Sequence, residues 1–253
     1  MKVTPQLEKE LAQLRDCIGN PPSDYKGLLE ILPESLRPFL SFDSKLGWAM
    51  LRHPLLYCVP FLGHKFQLDQ ITHRIPMREA KIKECAEKGD LESIIYLHER
   101  PYRVNALFSY RHVTAKLSDP LAAFYTEVGS VWIDSENIWQ DKSGWSSVWE
   151  EVAKSGKAHL TMEESDREFL TVVQNSAVEG RIRVFRGAVR GRNHRGLSWT
   201  VDRKMAAWFS KRLQDGRVFE LSVPPDNIIA GFNGRKESEV VIDPNFIRRA
   251  KLT

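Results

Sequence analysis

The stretch RIRVFRGAV (181–189), with GLSWT (196–200), RVFELSV (217–223) and ESEVVID (237–243) after it, decides how the chain is read. Each segment is short, rich in β-branched or aromatic residues and bounded by Gly, Asn, Asp or Pro, the pattern of strands joined by turns. One helix interrupts them, from Asp202 to about Leu213 (DRKMAAWFSKRL). Working outward, the residues before Gly180 read as helical. After Thr4 and Pro5, a cap and first-turn pair, Leu7, Leu11, Leu14 and Ile18 recur at helical spacing. Arg78 to Lys88 stops at Gly89, Asp90 opens DLESIIYLHER, and Asp119 with Pro120 starts DPLAAFYTEV. Thr161 and Glu164 have the form of a capping box. The expected architecture is α+β: a helical region over 1–175 and a compact module of mostly antiparallel strands over 176–253, with the boundary between 175 and 182. Four of the seven tryptophans, Trp132, Trp139, Trp145 and Trp149, fall in one segment, which favours packing between helices over a ligand platform. There is no internal repeat and no low-complexity tract.

Composition limits the classes. With 253 residues, 42% apolar and 28% charged, the chain can bury a core without disulfides or a structural metal. The three cysteines, Cys17, Cys58 and Cys85, are spaced too widely for a zinc knuckle. The most apolar stretch, Leu46 to Gly63, is broken by Arg52, His53, Pro54 and Pro60, which excludes it as a spanning helix. The N-terminus lacks the apolar region of a secretory signal, so a cytoplasmic protein that does not engage a membrane is expected. Charge is uneven. Residues 181–253 hold 16 Lys and Arg against 7 Asp and Glu, so the net charge of +4 hides +9 there and −5 before it. Arg181 to Arg195 contains six arginines and no acid, a surface suited to an anion.

Strand alternation then assigns faces. Ile182, Val184, Arg186 and Ala188 share one side, so Arg186 stands in line with apolar residues. Glu237, Glu239 and Val241 share another, which places Glu239 at a sheet edge or in a cleft. A charge in such a place must be paired or serve a ligand. A structural ion pair between Arg186 and Glu239 is the plainest reading. Between them, however, lie Gly187, offering bare backbone to a flat ligand, then Ser198, Trp199 and Thr200, then small and aromatic groups on the helix (Ala206, Ala207, Phe209).

These residues, VFRG at 184–187, SWT at 198–200 and ESE at 237–239, resemble the arginine–serine–glutamate class of the mono-ADP-ribosyltransferase superfamily. Order and strand context agree, and the loop before ESE has the character of that family's acceptor-recognising turn. The sequence departs from the better-known toxins in the short interval between Arg186 and Ser198 and in Trp199 at the centre of the middle motif. The resemblance implies a split β-sheet core and NAD as substrate, cleaved at the nicotinamide–ribose bond. It implies that Glu239 stabilises the oxocarbenium-like transition state, that Ser198 holds Glu239, and that Arg186 fixes a phosphate or ribose. Gly187 would meet the carboxamide, Thr200 would complete the NAD site, Phe209 or Phe232 would stack on the ring, and Glu237 would orient or deprotonate the acceptor. Glu at that place goes with arginine acceptors on proteins, with a nucleic-acid acceptor as the next choice. No metal is called for. By analogy of family the chain fits a toxin, effector or phage-conflict protein, with a neutralising antitoxin or immunity protein as a partner. Two alternatives are an NAD glycohydrolase on the same fold and a non-catalytic basic module that binds nucleic acid. The chain has no Walker, GxGxxG, GxSxG or HExxH motif.

Overall fold

The structure, a computed structural model, describes residues 25–135 and 141–250, with Glu8, Lys9 and Ala12 before them. The expected leucine-spaced helix at the N-terminus, Cys17 and Trp139 lie outside the described residues. The chain divides into two compact units, Met1–Ala106 and Leu107–Thr253.

The first unit is not wholly helical. Three antiparallel strands, β1 (Leu40–Asp43), β2 (Trp48–His53) and β3 (Leu56–Pro60), form a sheet in that order. Leu40 pairs with Leu51, and Gly47, at φ 70°, makes the turn between β1 and β2. These strands fall in the region expected to be helical, and their signal is hidden for a physical reason. Ala49, Met50 and Leu51 are all buried, so β2 reads as an unbroken apolar run rather than as an alternation. Helices α1 (Tyr25–Ile31), α2 (Lys65–Lys88) and α3 (Leu91–Leu97) complete the unit. Leu28 and Leu32 join Leu51, Phe61, Ile71 and Ile75 in its core.

Helix α4 (Arg103–Ser109) carries the chain into the second unit, which holds α5 (Pro120–Asp134), α6 (Lys142–Ser155) and α7 (Glu164–Asn175) before the strands begin. The strands are β4 (Ile182–Ala188), β5 (Ser198–Thr200), β6 (Arg217–Val223), β7 (Ile228–Phe232) and β8 (Glu239–Ile242). All neighbours are antiparallel, in the order β6-β4-β5-β8-β7. Helices α8 (Arg203–Lys211) and α9 (Pro244–Arg249) lie between and after them. The protein is therefore a mixture of helices and antiparallel sheet, as expected. Aspartate opens helix after helix: Asp90, Asp119, Asp141, Asp202 and Asp243 each accept a hydrogen bond from a first-turn amide. The capping box expected at Thr161 and Glu164 does not form. Thr161 Oγ1 donates to the Ala158 carbonyl, and α7 starts behind Glu163 without a side-chain cap.

The divide at 106/107 differs from the boundary drawn at 175–182, which marks a change from helix to strand inside one unit. The five-stranded sheet has helices on both faces. One face carries Ile182, Val184, Trp199, Phe219, Leu221, Val240 and Ile242, packed against Val173 of α7 and Ile247 of α9. On the other, α8 crosses β4 so closely that a Cβ on Gly187 would lie 2.3 Å from the Ala206 carbonyl and 2.5 Å from the Ser210 nitrogen. Residues 107–175 thus help to form the second unit's core, because the sheet cannot bury its apolar residues alone. The loop before ESE is shorter than its sequence AGFNGRK (230–236) suggests, because residues 230–232 are the end of β7, all of it buried. Its glycine and short length masked it.

Candidate functional site

Glu239 is the first residue of β8, an interior strand between β5 and β7, and it is only 5% exposed. Of the two places expected for it, a sheet edge or a cleft, the edge is excluded. Cross-strand register puts Phe232, Glu239, Thr200 and Phe185 in one row, with side chains on the same face. One carboxylate oxygen accepts a hydrogen bond from the Trp132 indole N–H at 3.1 Å, and the other lies 3.5 Å from Nη2 of Arg235. Burial pushes the Glu239 carboxyl up from the usual range, and Glu237 adds to the rise. Ser198, Arg235 and Trp132 act in the opposite direction.

Arg186 lies in the opposite row, since β4 alternates and Phe185 is the residue aligned with Thr200. Its guanidinium reaches the 189–197 loop and the start of β5, a strand that pairs with β4 at Phe185 and Thr200. There it donates to the carbonyls of Asn193, at 3.1 Å, and Ser198. The head is enclosed although the residue as a whole keeps some exposure. Burial lowers its pKa to about 10, with Glu239 drawing it back upward. A Cβ on Gly196 would lie 2.5 Å from the guanidinium carbon, so the loop leaves room for the arginine by having none there. Arg186 and Glu239 are thus not a direct ion pair. Both lie close to one residue, Ser198, whose main-chain oxygen accepts from the guanidinium and whose side chain lowers the pKa of the Glu239 carboxyl.

The other expected residues divide. Glu237 precedes β8, separated from Glu239 by Ser238 at φ 48°, so the two are not consecutive on a regular strand face. Both nevertheless reach Arg235, whose Nη2 is 3.4 Å from Glu237 and 3.5 Å from Glu239. Thr200 is structural in its contacts: its hydroxyl donates to the Glu237 carbonyl and accepts from the Asp202 amide. Gly187 does not offer bare backbone on its Cβ side, which α8 fills. Phe209 is partly buried, its Cβ 2.9 Å from the position a Gly187 Cβ would take, with its ring set edge-on to Trp208. Phe232 is 4% exposed and packs edge-on against Trp149, so it belongs to the core and has no free face for a ring.

Sequence reasoning missed Trp132, Arg235 and Asp166. Trp132, Trp145 and Trp149 are fully buried and meet edge to face, the expected helix packing, but Trp132 also donates to a residue 107 positions away. Nothing local announces such a partner. Asp166 of α7, 5% exposed, accepts from the Asn233 amide and so fixes the root of the loop that carries Arg235. Lys236 and Ser238, at φ 58° and 48°, are non-glycine residues in left-handed backbone within that loop. Arg235 was visible two residues before Glu237, where an arginine beside paired acids is the one available signal.

A second concentration of charge lies beside Arg186. Lys142 of α6 has its pKa lowered first by burial and then by Arg186, Arg195 and Arg248. Burial, followed by Arg195, Arg190, Lys142 and Arg186, lowers that of His194. Arg195 donates to the carbonyls of Ile247 and Arg248, which ties the 189–197 loop to α9.

Two surface pockets, of about 470 Å³ and 290 Å³, are not lined by Arg186, Arg235, Glu237 or Glu239: one is lined by Phe108, Arg111 and Phe124, the other by Asn227, Asp243 and Phe246. The chemistry, rather than the concavity, marks the site. Among the described residues no group of three or more His, Cys, Asp and Glu is placed to hold a metal, and no helix is long and apolar enough to cross a membrane. No family model, curated protein or solved structure matches the chain.

Proposed function

We propose that the protein is an NAD-dependent mono-ADP-ribosyltransferase that cleaves the nicotinamide–ribose bond and transfers ADP-ribose to a macromolecular acceptor, with an arginine side chain as the favoured class. The observation that carries the reading is the Glu239 carboxylate, buried yet supplied with an indole N–H at 3.1 Å and a guanidinium nitrogen at 3.5 Å. A structural carboxylate in a core is costly, whereas one held ready for a developing positive charge is useful. Glu239 would stand beside the anomeric carbon as C1′ takes on oxocarbenium character. Arg186, whose charge is met directly by backbone carbonyls, would face a phosphate of NAD. Glu237, more exposed than Glu239, would take the proton from the acceptor. On this reading NAD would reach Glu239 past Arg235, whose side chain is 38% exposed. The order of VFRG, SWT and ESE along antiparallel strands supports this reading.

The crowding of Lys142, Arg186, Arg190, Arg195 and Arg248 favours a second reading, in which the acceptor is a nucleic acid steered by this surface. A cell lysate incubated with the protein and adenine-labelled NAD tests both. Label in acid-insoluble material that protease removes supports the protein acceptor, and label removed by nuclease supports the second. NAD consumed with only free ADP-ribose produced points to a glycohydrolase. Unconsumed NAD contradicts the enzyme altogether.

A further inference from the structure

Arg235 holds a place that the proposed reaction reserves for its acceptor. One nitrogen, Nη2, stands between the two acids, 3.4 Å from Oε2 of Glu237 and 3.5 Å from Oε2 of Glu239. A guanidinium whose task was to neutralise this pair would close to two parallel bonds of about 2.7–2.9 Å. Here the same nitrogen faces both acids at longer range, and the side chain is 38% exposed. Its loop is set in place: the Asn233 amide donates to Asp166, the Lys236 amide closes a turn onto the Asn233 carbonyl, and the Ser238 amide reaches the Asn233 side chain. Left-handed backbone at Lys236 and Ser238 sustains the geometry that turns Arg235 back over the acids.

We infer that Arg235 is a site of self-modification, ADP-ribosylated within its own molecule. The inference rests on the transferase reading above and assigns that site an acceptor of its own. As NAD enters, the bond between C1′ and the pyridine nitrogen breaks, and its electron pair goes to that nitrogen, releasing neutral nicotinamide. A lone pair on Nη2 of Arg235 forms the new bond to C1′, and the proton that nitrogen sheds passes to Glu237. Nothing is oxidised or reduced. The product places a diphosphate-bearing group across the entrance used by any other acceptor, so the reaction limits itself.

The test is to incubate the full chain with NAD alone, follow free nicotinamide, and map adducts on peptides by fragmentation mass spectrometry, with Glu239→Gln as the control for non-enzymatic attachment. The expected result is an ADP-ribose adduct on Arg235, absent from Glu239→Gln, whose half-time of appearance does not change as the enzyme is diluted. Nicotinamide release with Arg235 unmodified overturns this inference and leaves the transferase reading standing. Labelling of Arg235 that slows in proportion to dilution overturns the intramolecular claim. No nicotinamide release removes the transferase reading and this inference together.

Discussion

At Glu239 burial and hydrogen bonding oppose each other, and burial prevails, so the carboxyl is raised above its usual value. Two consequences can be measured. If the ionised form does the chemistry, activity is lost as pH falls through the raised folded value, above the range of an ordinary carboxylate. The stability linkage has the opposite sign to that of a salt-bridged acid. The native state binds the proton more tightly than the unfolded chain, so stability falls as pH rises from the unfolded to the folded pKa. Glu239→Gln is therefore expected to melt at a higher temperature than the wild type at neutral pH, where thermal unfolding reads the difference. Trp132→Phe keeps the packing and removes the N–H, which leaves Glu239 harder to ionise. A loss of about tenfold in kcat at neutral pH, with the acid limb of the pH profile moved upward, is expected from a hydrogen bond to a charged group worth about 1.5 kcal/mol or more. An unmoved limb would show that the indole merely packs. The acids and Arg186 were legible in the sequence because charge among apolar residues stands out. The indole was not, because a buried tryptophan looks alike whether or not its N–H has a distant partner.

Among the elements, α5 carries Trp132 to the sheet and depends on Gly129 to do so. A Cβ there would lie 1.8 Å from the Thr161 carbonyl, backbone that has no easy retreat. Gly to Ala inside a helix ordinarily stabilises by up to about 1 kcal/mol. Here the change is expected to destabilise by about 1–3 kcal/mol, as overpacking does, and denaturant unfolding at constant m decides between the two. At this scale β6 was legible to the residue, since RVFELSV alternates cleanly, and β4 and β8 differed from their expected ends by one or two positions. The strands of the first unit and β7 were not. A strand buried on consecutive residues gives no period of two, and IIAGF carries no polar residue to mark a face.

Over the whole molecule, the change in composition near residue 180 is real but does not divide the chain. The unit Leu107–Thr253 holds both the sheet and the helices that cover it. A fragment of residues 107–253 is expected to unfold in one cooperative transition, whereas 176–253 lacks Val173, the Met162 sulfur that receives the Gly231 amide, and the indole on Glu239, and should not fold. Circular dichroism melts of the two fragments check this.

On the proposed reading, the buried Glu239 carboxylate lowers the barrier to breaking the nicotinamide–ribose bond. Nicotinamide released from NAD by the wild type and by Glu239→Gln, each shown by circular dichroism to be folded, tests it most directly. Steady release by the wild type is expected, with a fall of at least about a hundredfold in the variant, the loss of about 3 kcal/mol of transition-state stabilisation. Equal release from both, or none from a folded wild type, would contradict it.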